Sequence, residues 1–148
     1  MRAHRGFTLV ELLVVLVLAA LLVGLVGPQL ASGVPGSELR AGARDLASAL
    51  RQARADAISS GEEQRLILNV EDNRFDLSGS GRSGSLPGDL RLRIDTSRGE
   101  VVDEHRAGIR FFADGSATGG RIQLNGNGRI LVVDVDWLTG RTRIESPD

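Results

Sequence analysis

A nearly unbroken apolar run extends from Phe7 to Val26, close to the N-terminus. Of these twenty residues, all but three are Ala, Val, Leu or Phe. Twenty residues of α-helix rise about 30 Å, which matches the thickness of the hydrocarbon core of a bilayer. The run therefore predicts a transmembrane helix over residues 7–27.

Residues that break helices follow the apolar run. Pro28 lacks the N–H that would continue the helical hydrogen bonds, and this predicts a kink. Further along, the sequence ASGVPG at 31–36 places Pro35 next to Gly36, which predicts an interruption of the helix. Residues 28–36 are therefore expected to form a kinked connector.

Helical spacing returns after the connector. Ser37 is the predicted N-cap, Glu38 suits the first turn, and Gly61 is a suitable C-terminal stop. Between them, apolar residues recur in alternating steps of four and three: Leu39, Ala43, Leu46, Leu50, Ala53 and Ala57. This stripe predicts an amphipathic helix over residues 37–60 that packs on a sheet of its own domain and leaves its arginine-rich faces in solvent. Packing of the same helix against neighbouring subunits stays open.

The period changes from helical to alternating after the glycine, over residues 63–146. The alternation predicts antiparallel strands at Gln64–Val70, Arg74–Leu77, Leu90–Ile94, Gly108–Ala113, Arg121–Asn125, Arg129–Asp136 and Arg141–Ile144. Serines and glycines crowd Ser78–Gly88, where we expect a mobile loop. The fold class is therefore α+β, with a helix on antiparallel sheet in a domain of residues 37–148.

Composition narrows the function. The length of 148 residues suits one domain plus an appendage. The 18 basic residues, all of them Arg, nearly balance 19 acidic ones, whereas a nucleic-acid binder usually has a net basic domain. The sequence contains no cysteine, which excludes disulfides, thiolate metal sites and cysteine nucleophiles.

Catalytic chemistry needs a constellation of groups that the sequence does not offer. Of the two histidines, His4 precedes the apolar run and His105 lies in a polar loop. Asp114, Asp134 and Asp136 carry carboxylates, but their spacing lacks the pattern of a calcium-binding loop. We therefore predict no enzymatic activity, no cofactor and no metal site.

The charges around the apolar run predict its orientation. Arg2 and Arg5 precede it, and positive charge is retained on the cytoplasmic side of a membrane. We therefore expect a cytoplasmic N-terminus and a periplasmic C-terminal domain, anchored in a bacterial inner membrane by one span. An ordinary secretory signal peptide is the alternative. It fits less well because the run is long, no small-x-small site closes it, and Glu11 lies inside it.

Glu11 is the informative residue of the run. A charged side chain at the centre of a span costs about 2.5–3.5 kcal/mol, less near the interface, and usually has a partner. Cleavage after Gly6 would place an α-amino group on Phe7, four residues and one helical turn before Glu11. This amine could neutralise the acid within the subunit, or Glu11 could meet the amine of a neighbouring subunit during assembly, the role that we favour.

The sequence RGFTLVELL, from Arg5 to Leu13, resembles the class III signal of type IV pilins and type II secretion pseudopilins. The resemblance implies that prepilin peptidase removes residues 1–6 by cleavage after Gly6 and methylates Phe7. It also implies a pilin-like fold and assembly of the N-terminal helix into a filament. A proline at the position of Pro28 also fits the family.

Three later stretches are similar to the GspH/FimT group of minor subunits. They are ALRQARADAI (residues 49–58), FFADGSATGG (residues 111–120) and VDVDWLTGR (residues 133–141). The resemblance implies a minor pseudopilin at the tip of the type II secretion pseudopilus, where it starts or caps the filament that drives folded proteins across the outer membrane. The implied partners are other minor and major pseudopilins, prepilin peptidase and inner membrane lipid.

The alternative is a FimT-like minor pilin that binds DNA in natural transformation. Residues 140–143 (GRTR) fit the short Gly-Arg-x-Arg signature of that subgroup, with Arg141 and Arg143 as the DNA contacts. DNA binding rests chiefly on neutralisation of phosphates by basic side chains. The arginines from Arg121 onwards are, however, matched by an equal number of carboxylates, which weakens this alternative.

The predicted cleavage site is testable by substitution. Gly6→Leu should block removal of the leader, because the family's peptidase cleaves after glycine. Mass spectrometry of the wild-type protein should find a mature N-terminus at Phe7 with one added methyl group. A mature N-terminus at any other residue would remove the leader hypothesis.

Overall fold

A computed structural model of the chain describes residues 9–30 and 36–147. The contacts divide the chain into two compact units, one up to Pro35 and the other from Gly36 onwards. The first unit contains helix α1, Leu9–Leu30. The leader residues and the interruption predicted at Pro35 lie outside the described residues, and both stay predictions.

Helix α1 consists mainly of Leu, Val and Ala, with Glu11 as the acidic residue of its first turn. It ends at Leu30, two residues beyond Pro28, and the kink at that proline stays a prediction. Within the described part of the chain, no helix combines the length and the apolar character needed to cross a membrane.

Helix α2, Ser37–Ser60, has the bounds that the periodicity predicts. Its buried residues include every member of the predicted stripe, which is thereby confirmed. The prediction of Ser37 as N-cap is wrong, because Gly36 caps the helix in a left-handed conformation (φ 89°) that glycine adopts without steric cost. Gly61 (φ 71°) ends the helix as predicted, and its N–H donates to the Ala57 carbonyl at 3.1 Å.

The strands of the second unit, within residues 36–147, form two antiparallel sheets. The first contains β1 Gln64–Asn69, β2 Arg74–Leu77, β3 Ser83–Ser85 and β5 Arg106–Phe111, in the order β3-β2-β1-β5. The second contains β4 Arg91–Thr96, β6 Gly120–Gly126, β7 Arg129–Val135 and β8 Thr142–Glu145, in the order β4-β6-β7-β8. Each predicted strand overlaps one of these, and the α+β fold class is confirmed.

The core lies where α2 packs on both sheets. Its fully buried side chains come from the helix and from both sheets: Leu46, Leu50, Leu66, Leu68, Ile109, Phe111, Ile122, Leu124 and Val133. Burial of one such aliphatic side chain stabilises the fold by about 1.5–3 kcal/mol. Gly42, which the predicted stripe does not include, is buried too. A Cβ at this glycine would lie 2.8 Å from Leu90 Cδ1, so its small size allows the close approach.

The segment Ser78–Gly88 is more ordered than its composition indicates. The prediction of a mobile loop is wrong at β3, which pairs with β2 through Gly84 opposite Phe75. A Cβ at Gly84 would lie 2.3 Å from Phe75 Cζ, so the aromatic ring needs this glycine above it. The Asn73 side-chain amide donates to the carbonyl of Pro87 at 3.1 Å and secures the end of the segment.

A buried carboxylate, Glu100, lies between two arginines of the first sheet. It ends the 3₁₀ turn Arg98–Glu100 and is 4% exposed. Its Oε1 accepts a hydrogen bond from Arg110 Nε at 3.0 Å. Its Oε2 lies 2.7 Å from Arg65 Nε in an ion pair without hydrogen-bond geometry. Hydrogen bonds to Glu63 and Glu100 raise the pKa of the Arg110 guanidinium. The arginines supply the counter-charge that a buried carboxylate requires.

Candidate functional site

Helix α1 presents an exposed apolar surface. From Leu9 to Leu21 every side chain is exposed, with the large aliphatic ones ranging from 49% at Val14 to 81% at Leu9. Apolar side chains on several sides of one helix do not form the one-sided stripe of a helix that packs on a water-soluble core. This surface suits lipid or the helices of neighbouring subunits.

Glu11 is the predicted assembly residue that the structure describes. It lies in the first turn of α1, where the helix dipole favours a negative charge, and its side chain is exposed among aliphatic neighbours. The predicted cleavage and methylation residues, Gly6 and Phe7, lie outside the described residues. The pairing of Glu11 with an α-amino group therefore stays a prediction.

The three family-like stretches of the second unit converge on Arg54. This residue of α2 donates from Nε to the Gly115 carbonyl at 3.0 Å and to the Thr139 carbonyl at 3.0 Å. The two acceptors lie in turns that follow β5 and β7. One guanidinium therefore joins the helix to both turns, and we call this arrangement the Arg54 clasp. The prediction that the arginines of α2 are all solvated is wrong at Arg54, which is half-buried.

Glycine is required inside the Arg54 clasp. Gly140 has a left-handed φ of 62°, and a Cβ there would lie 2.3 Å from the Gly115 carbonyl oxygen. Gly119 also has a left-handed φ of 72°, and a Cβ added there would lie 2.9 Å from Trp137 Cβ in the turn after β7. The glycines of the family-like stretches thus serve close backbone packing.

Aspartates build the two turns of the clasp. Asp114 Oδ1 accepts hydrogen bonds from Ser116 N at 2.9 Å and Ser116 Oγ at 2.6 Å, and these bonds lower the pKa of the Asp114 carboxyl. Asp136 Oδ1 accepts from Thr139 N and Oγ1, both at 2.8 Å, which lowers the pKa of the Asp136 carboxyl in the same way. Asp134 instead pairs with Arg121 Nε at 3.3 Å. Within the part of the chain that the structure describes, no group of three acidic, histidine or cysteine side chains is placed to hold a metal ion.

The predicted DNA contacts lie beside the clasp. Arg141 and Arg143 are both exposed, with the half-buried Thr142 between them. Arg143 lies in β8, whereas Arg141 precedes it and continues the ladder through its carbonyl, which accepts from Asp136 N at 3.0 Å. That the two guanidinium groups share one side of this edge stays a prediction from their spacing.

His105 lies in a bend before β5 and is half-exposed. Its Nε2 is 3.7 Å from Glu71 Oε2 at the surface. This contact is an exposed pair, and such pairs contribute about 0–1 kcal/mol to stability. Its surroundings are those of the solvated loop that the sequence predicts.

Comparison with known proteins places this architecture in a family. Residues 42–139 match the family described as type II transport protein GspH, and residues 1–27 match the prokaryotic N-terminal methylation motif. The chain belongs to the GspH family. The GspH-family match includes Arg54, Gly115 and Thr139, so the clasp lies inside the matched region.

A curated relative of the GspH-family chain agrees with this assignment. The chain is 37% identical over 142 residues to type II secretion system protein H of Xanthomonas campestris pv. campestris. The alignment covers 96% of this chain and 83% of the relative. The predicted membership of the GspH/FimT group is confirmed.

Two solved structures share the fold. The minor pseudopilin EpsH from the type 2 secretion system of Vibrio cholerae has a TM-score of 0.59 at 16% identity, over 75% of this chain and 98% of that one. The type IV minor pilin FimU of Pseudomonas aeruginosa has a TM-score of 0.57 at 18% identity, over 75% and 93%. At these identities the likeness concerns the fold alone, and the predicted pilin-like fold is confirmed.

The Arg54 clasp predicts a loss of stability on truncation. Arg54→Ala removes both hydrogen bonds to the turn carbonyls and should lower the free energy of unfolding by about 1–2 kcal/mol. Arg51→Ala, on the exposed side of the same helix, is the matched control and should leave it nearly unchanged. Denaturant unfolding of the full chain in detergent, followed by far-UV circular dichroism, measures both. Equal stability of the two variants would contradict the clasp.

Proposed function

We propose that this GspH-family chain is a minor pseudopilin of a type II secretion system. In this proposal it is a structural subunit of the pseudopilus tip, where it helps to start or cap the filament that drives folded proteins across the outer membrane. The observation that carries the proposal is the presence in one chain of an N-terminal methylation motif and a GspH domain. The likeness to a type II secretion protein over 96% of the chain supports it.

The proposal includes an anchor in the inner membrane. We infer that the apolar run from Phe7 to Val26 spans the membrane once, with the N-terminus cytoplasmic and the domain periplasmic. Support comes from the exposed aliphatic side chains of α1 and from Arg2 and Arg5 on the N-terminal side of the run. Prepilin peptidase and inner membrane lipid are partners in this scheme.

Assembly is proposed to use α1. Its exposed aliphatic side chains would pack against the equivalent helices of other minor and major pseudopilins. Glu11 would pair with the methylated amine of Phe7 on the neighbouring subunit, because an ion pair in lipid offsets the cost of placing a charge there. The role is structural, and the proposal includes neither catalysis nor a cofactor.

Substitution of Glu11 tests this assembly role. Glu11→Leu should remove the partner of the neighbouring amine and reduce incorporation into the pseudopilus at least about tenfold, while cleavage of the leader continues. Val14→Leu, three residues further along α1, is the control and should assemble normally. Quantitative blotting of sheared or crosslinked pseudopili measures incorporation. Normal incorporation of Glu11→Leu would refute the role given to this acid.

The second candidate is a FimT-like minor pilin that binds DNA. The observation in its favour is that Arg141 and Arg143 are both exposed beside and within the edge strand β8. Two carboxylates near Arg143 weaken it. Asp134 is the partner of Arg143 in the β7–β8 ladder. The positive charge of Arg143 also adds to the hydrogen bonds from Thr139 in lowering the pKa of the Asp136 carboxyl. Phosphate binding would have to compete with these acids.

Deletion of the gene separates the two candidates. If the protein is a pseudopilin, deletion of its gene should abolish secretion of exported enzymes. DNA uptake should stay intact, because a subunit of the secretion pseudopilus has no part in transformation. Complementation with the double variant Arg141→Ala/Arg143→Ala should then restore secretion fully. Loss of transformation with normal secretion, rescued only when both arginines are present, would favour the DNA-binding pilin. Culture-supernatant activity and transformation frequency are the two measurements.

A further inference from the structure

The hairpin between β6 and β7 closes through the sequence Gly-Asn-Gly-Arg at residues 126–129. Gly126 and Arg129 are paired in the ladder, so Asn127 and Gly128 form a two-residue turn. Both have a left-handed backbone, with φ 52° at Asn127 and φ 72° at Gly128, as a turn of type I′ requires. Asparagine and glycine tolerate this conformation better than other residues, so the sequence suits the turn.

An asparagine followed by glycine carries two groups that can react with each other. The backbone nitrogen of the glycine can attack Cγ of the asparagine side chain and close a succinimide ring. Glycine has no Cβ that would hinder this attack. Asparagine is a thermolabile residue. The fold decides whether the reaction occurs, because the backbone nitrogen has to turn towards Cγ.

At Asn127 the fold holds neither of the two reacting groups. Asn127 and Gly128 are both exposed. In the part of the chain that the structure describes, the Asn127 side-chain amide makes no hydrogen bond, and Gly128 N donates none. A Cβ added at Gly128 would meet no atom within 4 Å, so the turn has open space around it. The Gly128 nitrogen can therefore approach Cγ without giving up a hydrogen bond of its own.

The same dipeptide occurs at Asn125 and Gly126, in a different setting. Both residues lie in β6, an inner strand of its sheet, where Asn125 is opposite Arg91 of β4 and Ile130 of β7. Gly126 is buried, and a Cβ there would lie 2.7 Å from Leu90 Cδ2. The peptide between them cannot rotate unless the strand first leaves the ladder. The fold therefore protects this asparagine.

Hydrogen bonds protect a third pair, Asp114 and Gly115, which could close the same ring. Gly115 N, the attacking atom, donates to the Phe112 carbonyl at 2.9 Å. The hydrogen bonds from Ser116 lower the pKa of the Asp114 carboxyl and so keep it ionised. An ionised carboxylate resists attack by nitrogen. Of these three pairs, only Asn127 and Gly128 have both reacting groups free.

We propose that Asn127 is a site of spontaneous modification, at which asparagine converts into aspartate and isoaspartate. Gly128 N loses its proton to solvent and bonds to Cγ of Asn127, while the bond from Cγ to the side-chain nitrogen breaks and ammonia leaves. Water then opens the succinimide ring. Opening between Gly128 N and Cγ gives aspartate, whereas opening between Gly128 N and the backbone carbonyl carbon gives isoaspartate. Water is consumed and ammonia released, and no electrons are transferred.

The two products differ in what they do to the hairpin. Aspartate keeps the normal backbone, is tolerated in the left-handed region, and adds one negative charge to a chain of formal net charge −1. Isoaspartate routes the main chain through the side chain and adds a carbon to it. The length of a two-residue turn fixes the register of its strands, so this extra atom disturbs the pairing of Gly126 with Arg129. The inference does not depend on the proposed function.

Peptide mapping of the full chain tests the proposal. The purified protein is incubated in non-ionic detergent at mildly alkaline pH, beside a matched sample in denaturant. Mass spectrometry and labelling with isoaspartyl methyltransferase quantify the products at each position. In the folded protein, Asn127 should react at least about tenfold faster than Asn125, because reaction at Asn125 has to wait for the ladder to open. In denaturant the two rates should become similar, since both dipeptides are then free.

A smaller ratio in the folded protein, at a pH where the denatured sample reacts at both asparagines, would overturn the proposal. Isoaspartate formation at Asp114 as fast as at Asn127 would overturn it too, because hydrogen bonding would then not select the site.

Denaturant unfolding tests the effect of isoaspartate on the hairpin. The isoaspartyl form, separated by ion exchange, should unfold at a lower denaturant concentration than Asn127→Asp. That variant is the matched control, because it carries the same charge on a normal backbone. Equal midpoints for the two proteins would overturn the effect assigned to the extra main-chain atom.

Discussion

The second unit depends on the packing of one face of α2 against two sheets at once. That face is made of leucines separated by alanines and Gly42, so the helix backbone can approach the strands closely while the leucines fill the space on either side. Both sheets bury their inner residues on this helix and neither is covered without it. The position of the last turns of α2 also places Arg54, whose hydrogen bonds hold the two turns after β5 and β7. Trp137 lies in the second of these turns.

The two α-helices that the structure describes, α1 and α2, differ in where their apolar side chains lie. Helix α2 buries its leucines on one face and leaves most of its charged residues exposed, as is typical of a helix on a water-soluble domain. Helix α1 carries exposed aliphatic side chains over the whole described stretch from Leu9 to Leu21. The pattern of α2 directs packing within its own domain, whereas that of α1 leaves its aliphatic side chains available to lipid or to other helices. The two helices therefore differ in the surroundings that their side chains require.

The sequence predicted those features that arise from local periodicity. The stripe of α2, the stop at Gly61 and the overlapping strands follow from spacing alone. Strand β3 was not predicted because Ser-Gly-Ser shows no alternation of apolar and polar residues. Its pairing with β2 places Gly84 against the ring of Phe75, which leaves no room for a larger residue. The contacts of Arg54 were not predicted for a related reason. Its spacing on the helix indicates a solvated side chain, but its acceptors lie 61 and 85 residues away, and only the tertiary fold brings them within reach.

The Arg54 clasp also has a mechanical consequence. Helix α2 is joined to the sheets by the backbone after Gly61 and by the packing of its buried face. The guanidinium adds a direct cross-tie from the helix to the turns after β5 and β7, with bonds of 3.0 Å to each. One side chain is thereby bonded to turns that follow a strand of each sheet. The last turns of α2 therefore cannot shift along either sheet without breaking one of these hydrogen bonds.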